Sequence, residues 1–421
     1  MFQTRINPHI LPLLGVGVVL MATGACSSGG SDSNPAPADL PRAVAEAYNK
    51  NTPVDAKVVQ TNSTFGFNLF SELQKSDGKK NLFLSPTSIS LALQIVFNGA
   101  GGDTKTGMDK ALSLNGASSA DLNARNAALQ ASLVSSTPDV TLTIANGLWF
   151  KSSAVKPDFV KLNTDYYGSE LGSTAGLPKT ANDWVSSKTN GKIPTILPDQ
   201  DYSDTVAVLV NAIYFKGAWT HKFDAGKTKD SPFTLLDDTT STVKMMQQQV
   251  ETGYLQGANF QAVRLPYGKD GRLSLYVFLP SAGTAFGDFL KTLTPENWTS
   301  WMPKFGTALV TLKLPRFKSS YSVALKDPLS TLGMGTAFDA TGKADLNGIA
   351  DGAYIQFVQH KTFVEVNEEG TEAAGATGIG IGVTSVPTPA TMTVDHPFFC
   401  AIRDDKTGTI LFMGTIVNPN Q

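Results

Sequence analysis

The stretch from Asn367 to Pro389 reads Asn-Glu-Glu-Gly-Thr-Glu-Ala-Ala-Gly-Ala-Thr-Gly-Ile-Gly-Ile-Gly-Val-Thr-Ser-Val-Pro-Thr-Pro. Few folds have a place for it. Its centre is too apolar and β-branched for a solvated linker, and too glycine-rich for a good strand. It is also long for an unstructured loop inside a compact domain, which points to function or to a misassigned element. Counting in twos gives Thr371, Ala373, Gly375, Thr377, Ile379, Ile381 and Val383, with Glu372, Ala374, Ala376, Gly378, Gly380 and Gly382 between them. One face is small and then apolar, and the other is polar, small or bare. That is the pattern of a strand with one face fit for burial. Two readings stand: a segment exposed in one state and inserted as a strand in another, or a glycine-rich surface hairpin.

Residues on either side favour the first. Glu368-Glu369-Gly370-Thr371-Glu372-Ala373-Ala374-Gly375-Ala376-Thr377 resembles the hinge of the reactive-centre loop of serpins, the serine-protease-inhibitor superfamily. The run Val394-Asp395-His396-Pro397-Phe398-Phe399-Cys400-Ala401-Ile402-Arg403, continued by Phe412-Met413-Gly414-Thr415-Ile416-Val417-Asn418-Pro419, is similar to the family's C-terminal signature. The resemblance implies an α+β serpin fold: a large mixed central β-sheet, further sheets, about eight or nine helices and an exposed loop on a metastable body.

The 421 residues carry a formal net charge of -2, which gives no argument for nucleic acid or an anionic membrane surface as partner. Two cysteines, Cys26 and Cys400, exclude a disulfide framework, and Cys400 reads as a buried free thiol. Met1 to Cys26 reads as an export signal: Arg5, then an apolar run from Ile10 to Ala22 too short to span a membrane comfortably. Thr23-Gly24-Ala25-Cys26 resembles a bacterial lipobox with Cys26 as the lipidated residue, although Thr23 departs from the usual Leu and ordinary signal cleavage stays open. Ser27 to Pro37 has the composition of a disordered spacer. The expected organisation is a signal at 1–25, a flexible tether at 26–54 and the main domain at 55–421. The expected location is across the inner membrane, either lipid-anchored at the cell surface or periplasmic face, or extracellular.

Along the chain, Asn62 to Gln74 carries Phe65, Leu69, Phe70 and Leu73 at helical spacing. Ser85 can cap and Pro86 can open a helix whose body, Ile89 to Phe97, is apolar almost all round. Asn81, Ser85, Pro86 and Ser88 match the serpin "shutter" motif beneath the main sheet, and capping alone would also explain the serines. Thr104 to Leu112 reads as a short helix. Val140 to Phe150 reads as a strand, and Lys179 to Ile193 resembles the helix lying across that sheet. Val206 to Phe215 is a strand apolar on both faces. By resemblance, Asn211 belongs to the shutter, Trp219 is the "breach" tryptophan where the loop starts to insert, and His360 bonds across the sheet. An ordinary core aromatic and a satisfied structural histidine are the plainer readings. Ala117 to Ser132 holds one basic residue, Arg125, so a heparin-type cofactor is not expected.

Four histidines, His9, His221, His360 and His396, are scattered, with no Gly-x-Ser-x-Gly elbow and no His-Glu-x-x-His helix. No catalytic site, metal or other cofactor is expected. Gly378-Ile379-Gly380-Ile381-Gly382 lacks the Lys-Ser/Thr of a phosphate-binding loop. The resemblance implies a monomeric inhibitor that forms a covalent one-to-one complex with a target serine protease. The cut lies about fifteen residues past the hinge glycine, as family members that use strand insertion have it. Counting from Gly370 gives Thr384-Ser385, with Val383-Thr384 and Ser385-Val386 as neighbours. Small β-branched residues there suit elastase-like or subtilisin-like pockets. No Lys or Arg lies between Gly370 and Pro397, which argues against a trypsin-like target. A non-inhibitory serpin-fold binding or structural protein is the alternative.

Overall fold

The first quarter of the chain supplies the helices α1 (Arg42–Asn49), α2 (Ala56–Asp77) and α3 (Pro86–Phe97), of which α2 and α3 carry the main core. Helix α3 starts where Ser85 accepts the Ser88 N–H at 3.3 Å and Pro86 fills the first turn, whose N–H would be unpaired anyway. All twelve of its residues are buried, as an apolar circumference requires. Helix α2 begins earlier than the Asn62 expected, because Asp55 caps it by accepting the Lys57 N–H at 2.8 Å. It crosses α3 closely at Gly66, where a Cβ would stand 2.6 Å from the Pro86 ring.

The computed structural model describes residue 37 and residues 39–134, 139–151, 155–203, 205–371 and 389–421. All belong to one unit, Ala36–Gln421. Cys26, the hinge residues Glu372, Ala373, Ala374, Gly375, Ala376 and Thr377, and the bond candidates Val383, Thr384, Ser385 and Val386 lie outside the described residues. Ten α-helices occur among the described residues, some of only a turn or two.

Two sheets pack around α2 and α3. The nine-stranded sheet runs from Leu82–Leu84 at one edge to Ala390–Thr393 at the other. The six-stranded sheet holds the region of interest. Its inner strand, Ala207–Ala218, pairs antiparallel along its length with Val140–Phe150, which pairs parallel with the edge strand Glu170–Ser173. On its other side the inner strand pairs parallel with the hinge strand, Phe357–Asn367, from Phe357 opposite Val208 to Thr362 opposite Ile213. Phe317–Ala324 closes that side of the sheet.

The inner strand reads as a continuous apolar run because both its faces are covered. Leu209, Ile213 and Phe215 enter the main core with α2 and α3. Val208, Val210 and Ala212 enter a second cluster under the crossing helix, Lys179–Lys188. That helix ends five residues before the expected Ile193. The chain then returns over the sheet, held by Asn182, whose Oδ1 accepts the N–H groups of Ile196 (2.8 Å) and Leu197 (2.9 Å).

The expected tether at 26–54 is corrected at one place: Arg42–Asn49 is the helix α1. Its apolar residues Val44 and Ala47 pack on Ala127 and Ala131 of the helix Ser119–Val134. Spacer-like composition up to Pro37 gives way there to residues with an apolar stripe to bury.

Candidate functional site

The inner and hinge strands are paired with each other only as far as Ile213 and Thr362. Beyond that point a two-residue wedge, Gly370–Thr371, stands between them at the top of the sheet. It runs antiparallel to both: Thr371 faces Val366 on one side and Gly217 on the other. Those two residues keep the same offset as the paired residues below, so the wedge sits in the register that a full strand would take.

The turn that returns the chain into the sheet depends on glycine. Gly370 has φ 147°, in the half of conformational space that side chains avoid. A Cβ there would stand 2.1 Å from the Gly217 carbonyl oxygen. Thr371 is buried, and its Oγ1 lies 2.7 Å from the Tyr267 hydroxyl. Burial pushes that phenol well above its ordinary range, so it stays a neutral partner.

Trp219 covers the turn. Its ring stacks on Tyr267 with centroids 4.5 Å apart, and its indole N–H donates to the Asn367 carbonyl at 2.8 Å. Its backbone N–H donates to the Glu369 carbonyl, and that of Phe223 donates to the Glu368 carbonyl, both at 3.0 Å. These bonds satisfy carbonyls that the turn would otherwise leave buried and unpaired.

Two carboxylates clasp the same turn. Glu368 Oε1 accepts from Arg316 Nε (2.7 Å) and Nη2 (2.6 Å) and from the Thr228 hydroxyl. Burial raises the Glu368 carboxyl, but Arg316 and Thr228 together outweigh it and leave the group below its ordinary value. Glu369 pairs with Lys222 at 2.7 Å.

Below the wedge the seam is pinned by a buried network. The His360 Nε2 accepts the Ser85 backbone N–H at 3.2 Å, which leaves its Nδ1–H to donate to Asn211 Oδ1 at 2.7 Å. The ring has no solvent access, and burial lowers its pKa to about 3, so it is neutral at physiological pH. Asn211 Nδ2 donates to Ser88 Oγ and to Asn146 Oδ1, both at 2.6 Å. The network thus joins α3 to both strands of the seam and to Val140–Phe150. Asn81 stands apart from it. That side chain accepts the N–H groups of Val417 (2.8 Å) and Asn418 (3.0 Å) and ties the C-terminal segment to the strand before α3.

Of the residues singled out in the sequence, the structure brings Glu368, Glu369, Gly370, Thr371 and Trp219 to one place. It brings Ser85, Ser88, Asn211 and His360 to another, with Pro86 opening the helix between. Tyr267, Arg316, Lys222 and Asn146 were not singled out. Each is a lone polar residue whose partner lies far along the chain, and no local spacing marks it.

The model of the family described as "Serpin (serine protease inhibitor)" matches residues 60–419. The leukocyte elastase inhibitor of Bos taurus is 38% identical over 377 residues, covering 85% of this chain and 98% of its own length. The human leukocyte elastase inhibitor is 36% identical over 377 residues, again covering 85% and 98%. The thermophilic serpin tengpin in its native state superimposes with a TM-score of 0.80 at 31% identity, covering 87% of this chain and 95% of that one. Human thyroxine-binding globulin gives 0.79 at 27% identity, covering 87% and 99%. The chain belongs to the serpin family, and so to a family of protease inhibitors and not of catalytic enzymes.

Proposed function

We propose that this serpin inhibits serine-type endopeptidases by single-use trapping, with elastase-like or subtilisin-like enzymes as targets. The observation that carries this reading is the wedge seated in register between the inner and hinge strands. Continuing that register sets Ala373 beside Phe215 and Val364, Thr377 beside Asn211 and His360, and Ile379 beside Leu209 and Val358. The faces of Thr371, Ala373, Gly375, Thr377, Ile379 and Ile381 then all turn to the main core. Small residues come first, so entry meets no steric penalty, and the large apolar ones follow.

The energetics favour the exchange. Insertion breaks one parallel seam, Phe357–Thr362 against Val208–Ile213, and forms two. Each new backbone bond contributes about 0.5–1.5 kcal/mol net. Each of Ile379, Ile381 and Val383 contributes about 1.5–3 kcal/mol if fully buried. The intact loop cannot use this, because its far end is held by the parallel pairing of Ala390–Thr393 with Val310–Lys313.

The chemical step belongs to the protease. Its serine oxygen attacks the carbonyl carbon of Thr384, the Thr384–Ser385 bond breaks, and the Ser385 nitrogen leaves with a proton from the protease histidine. The acyl-enzyme on Thr384 is then carried along as the hinge inserts, faster than water can release it. The leukocyte elastase inhibitors among the relatives support an elastase-like target, as does the absence of Lys or Arg between Gly370 and Pro397. The likeness to thyroxine-binding globulin keeps a binding-protein alternative in view. We further infer export by residues 1–25, with lipid attachment at Cys26. Metabolic labelling with a fatty acid, lost in Cys26→Ser, tests that part.

The function is tested by mixing the purified domain with pancreatic elastase and with subtilisin. A complex that survives boiling in detergent, with a released peptide beginning at Ser385, supports trapping. Cleavage there with neither a covalent complex nor a rise in melting temperature sinks it and leaves the binding-protein reading.

A further inference from the structure

Beside the clasped turn lies a cavity of about 430 Å³. Lys244 contributes to its wall from one stretch of chain and Arg316 and Lys318 from another, and Glu368 and Glu369 form the side shared with the hinge. The charges are not equally presented. The Glu368 side chain is 5% exposed and already engaged by Arg316 and Thr228, and Glu369 is held by Lys222. The Arg316 side chain, although bonded to Glu368, is 44% exposed, and that of Lys244 is 60% exposed in a surface ion pair with Asp230 at 2.8 Å, a kind of pair that contributes little and exchanges readily. The Lys318 ammonium lies 5.5 Å over the Phe363 ring, with Glu365 opposite it across the strand pair. The wall thus sets three cations against three carboxylates; Arg316 and Lys244 keep solvent-exposed surface although paired with Glu368 and Asp230, whereas the Glu368 carboxylate is withdrawn from solvent. A guanidinium flanked by two ammonium groups in a concave site is suited to a multivalent oxyanion.

We propose that this cavity binds a phosphate-class anion, such as pyrophosphate or an organic phosphate, and that its occupancy loosens the hinge. The anion engages Arg316, Lys318 and Lys244. Arg316 is also the principal partner of Glu368, so a ligand that takes its guanidinium competes with the bond that clasps the turn. The Asn367 carbonyl on Trp219 belongs to that turn, so the indole reports the change. The consequence for inhibition rests on the function proposed above; binding and the indole signal do not, since neither needs a protease.

The test titrates the full chain with sodium pyrophosphate at constant ionic strength, by calorimetry and by tryptophan emission, with Trp219→Phe to isolate the Trp219 contribution. Saturable binding is expected with a change in Trp219 emission. Lys244→Gln and Lys318→Gln leave the Glu368 clasp intact, and each weakens binding about two- to fivefold, the worth of one exposed ion pair. Vesicles containing phosphatidic acid form a second arm. Binding to pyrophosphate assigns a soluble source, and binding to vesicles alone, lost in the double variant, assigns a lipid headgroup. Binding of neither overturns the proposal. So does binding that the double variant keeps, or binding that leaves Trp219 emission unchanged.

Discussion

Gly370→Ala is the sharpest single test of the wedge. Alanine at φ 147° costs about 1–3 kcal/mol in backbone strain. The added Cβ would stand 2.1 Å from the Gly217 oxygen and 2.8 Å from the Ala218 Cα, both backbone atoms of a strand paired on its other side. Relieving that overlap costs about 1–3 kcal/mol more. Against this, the wedge is held by the Thr371–Tyr267 contact, the two carbonyl bonds under Trp219 and Phe223, and its ladder bonds, each worth about 0.5–1.5 kcal/mol net. The two sums are comparable, so the variant spends much of its time with the wedge out of the sheet. The body keeps its fold, because the seam from Phe357 to Thr362 does not involve Gly370. Trp219 loses the turn it covers, so its emission shifts to the red. With elastase, the turn needed for insertion forms more slowly, more loops are cut without trapping, and the number of inhibitor molecules consumed per protease rises. A variant with wild-type emission and wild-type stoichiometry would refute the argument from register.

Three further outcomes follow from the charges and bonds. His360 is neutral when folded, with a pKa of about 3 against an ordinary 6.5, so the unfolded chain takes up a proton first and stability is complete above pH 6.5. It falls as the pH drops from 6.5 towards 3, by about 1.4 kcal/mol per unit, and the urea midpoint should fall between pH 7 and pH 5 in wild type but far less in His360→Gln. Glu368 shifts the other way from a raised acid: its carboxyl is depressed when folded, so its contribution is present above the ordinary value of 4.5 and lost as the pH falls through the folded value. Acidification from pH 5 through the folded Glu368 value should therefore shift Trp219 emission in wild type, and Glu368→Gln should show the shifted emission already at pH 5. Tyr267→Phe removes the Thr371 partner at a cost of about 1 kcal/mol, and hydrogen exchange at the Thr371 amide should quicken about fivefold; an unchanged rate would remove Tyr267 from the site.

The sequence made much of this legible, for identifiable reasons. Helix α3 was readable because Ser85, Pro86 and an all-apolar body are adjacent in the chain, and capping and burial are local matters. Val140–Phe150 was readable because its first half alternates at Val140, Leu142 and Ile144, and alternation is a local signal too; its second half is buried throughout. The helix α1 was not, because it is only eight residues long and directly follows a spacer, and the apolar face it covers belongs to residues some eighty positions later. At the site, Gly370 and Trp219 were found through motifs. Tyr267, Arg316 and Lys222 are held to the hinge by contacts 104, 52 and 147 residues away in sequence, and no window of sequence contains both partners.

The register also gives the bare face of the loop a physical sense. Under the proposed insertion, the register continued downwards from Thr371 would set Gly378 beside Val210 and Gln359, and Gly380 beside Val208 and Phe357, on the side of the sheet under the crossing helix. That side is already filled by Trp149, Val185, Ile193, Ile196 and Leu197 over Val208 and Val210. A side chain arriving there would have to lift the crossing helix and its return segment, whereas glycine asks only for the width of a backbone. The opposite face of the inserted strand would open to the main core and carry Ile379 and Ile381. Glycine weakens a strand by its entropy. At these positions that cost is set against the larger one of displacing a packed layer, so the loop's poor strand propensity and its fitness to enter this sheet have one cause.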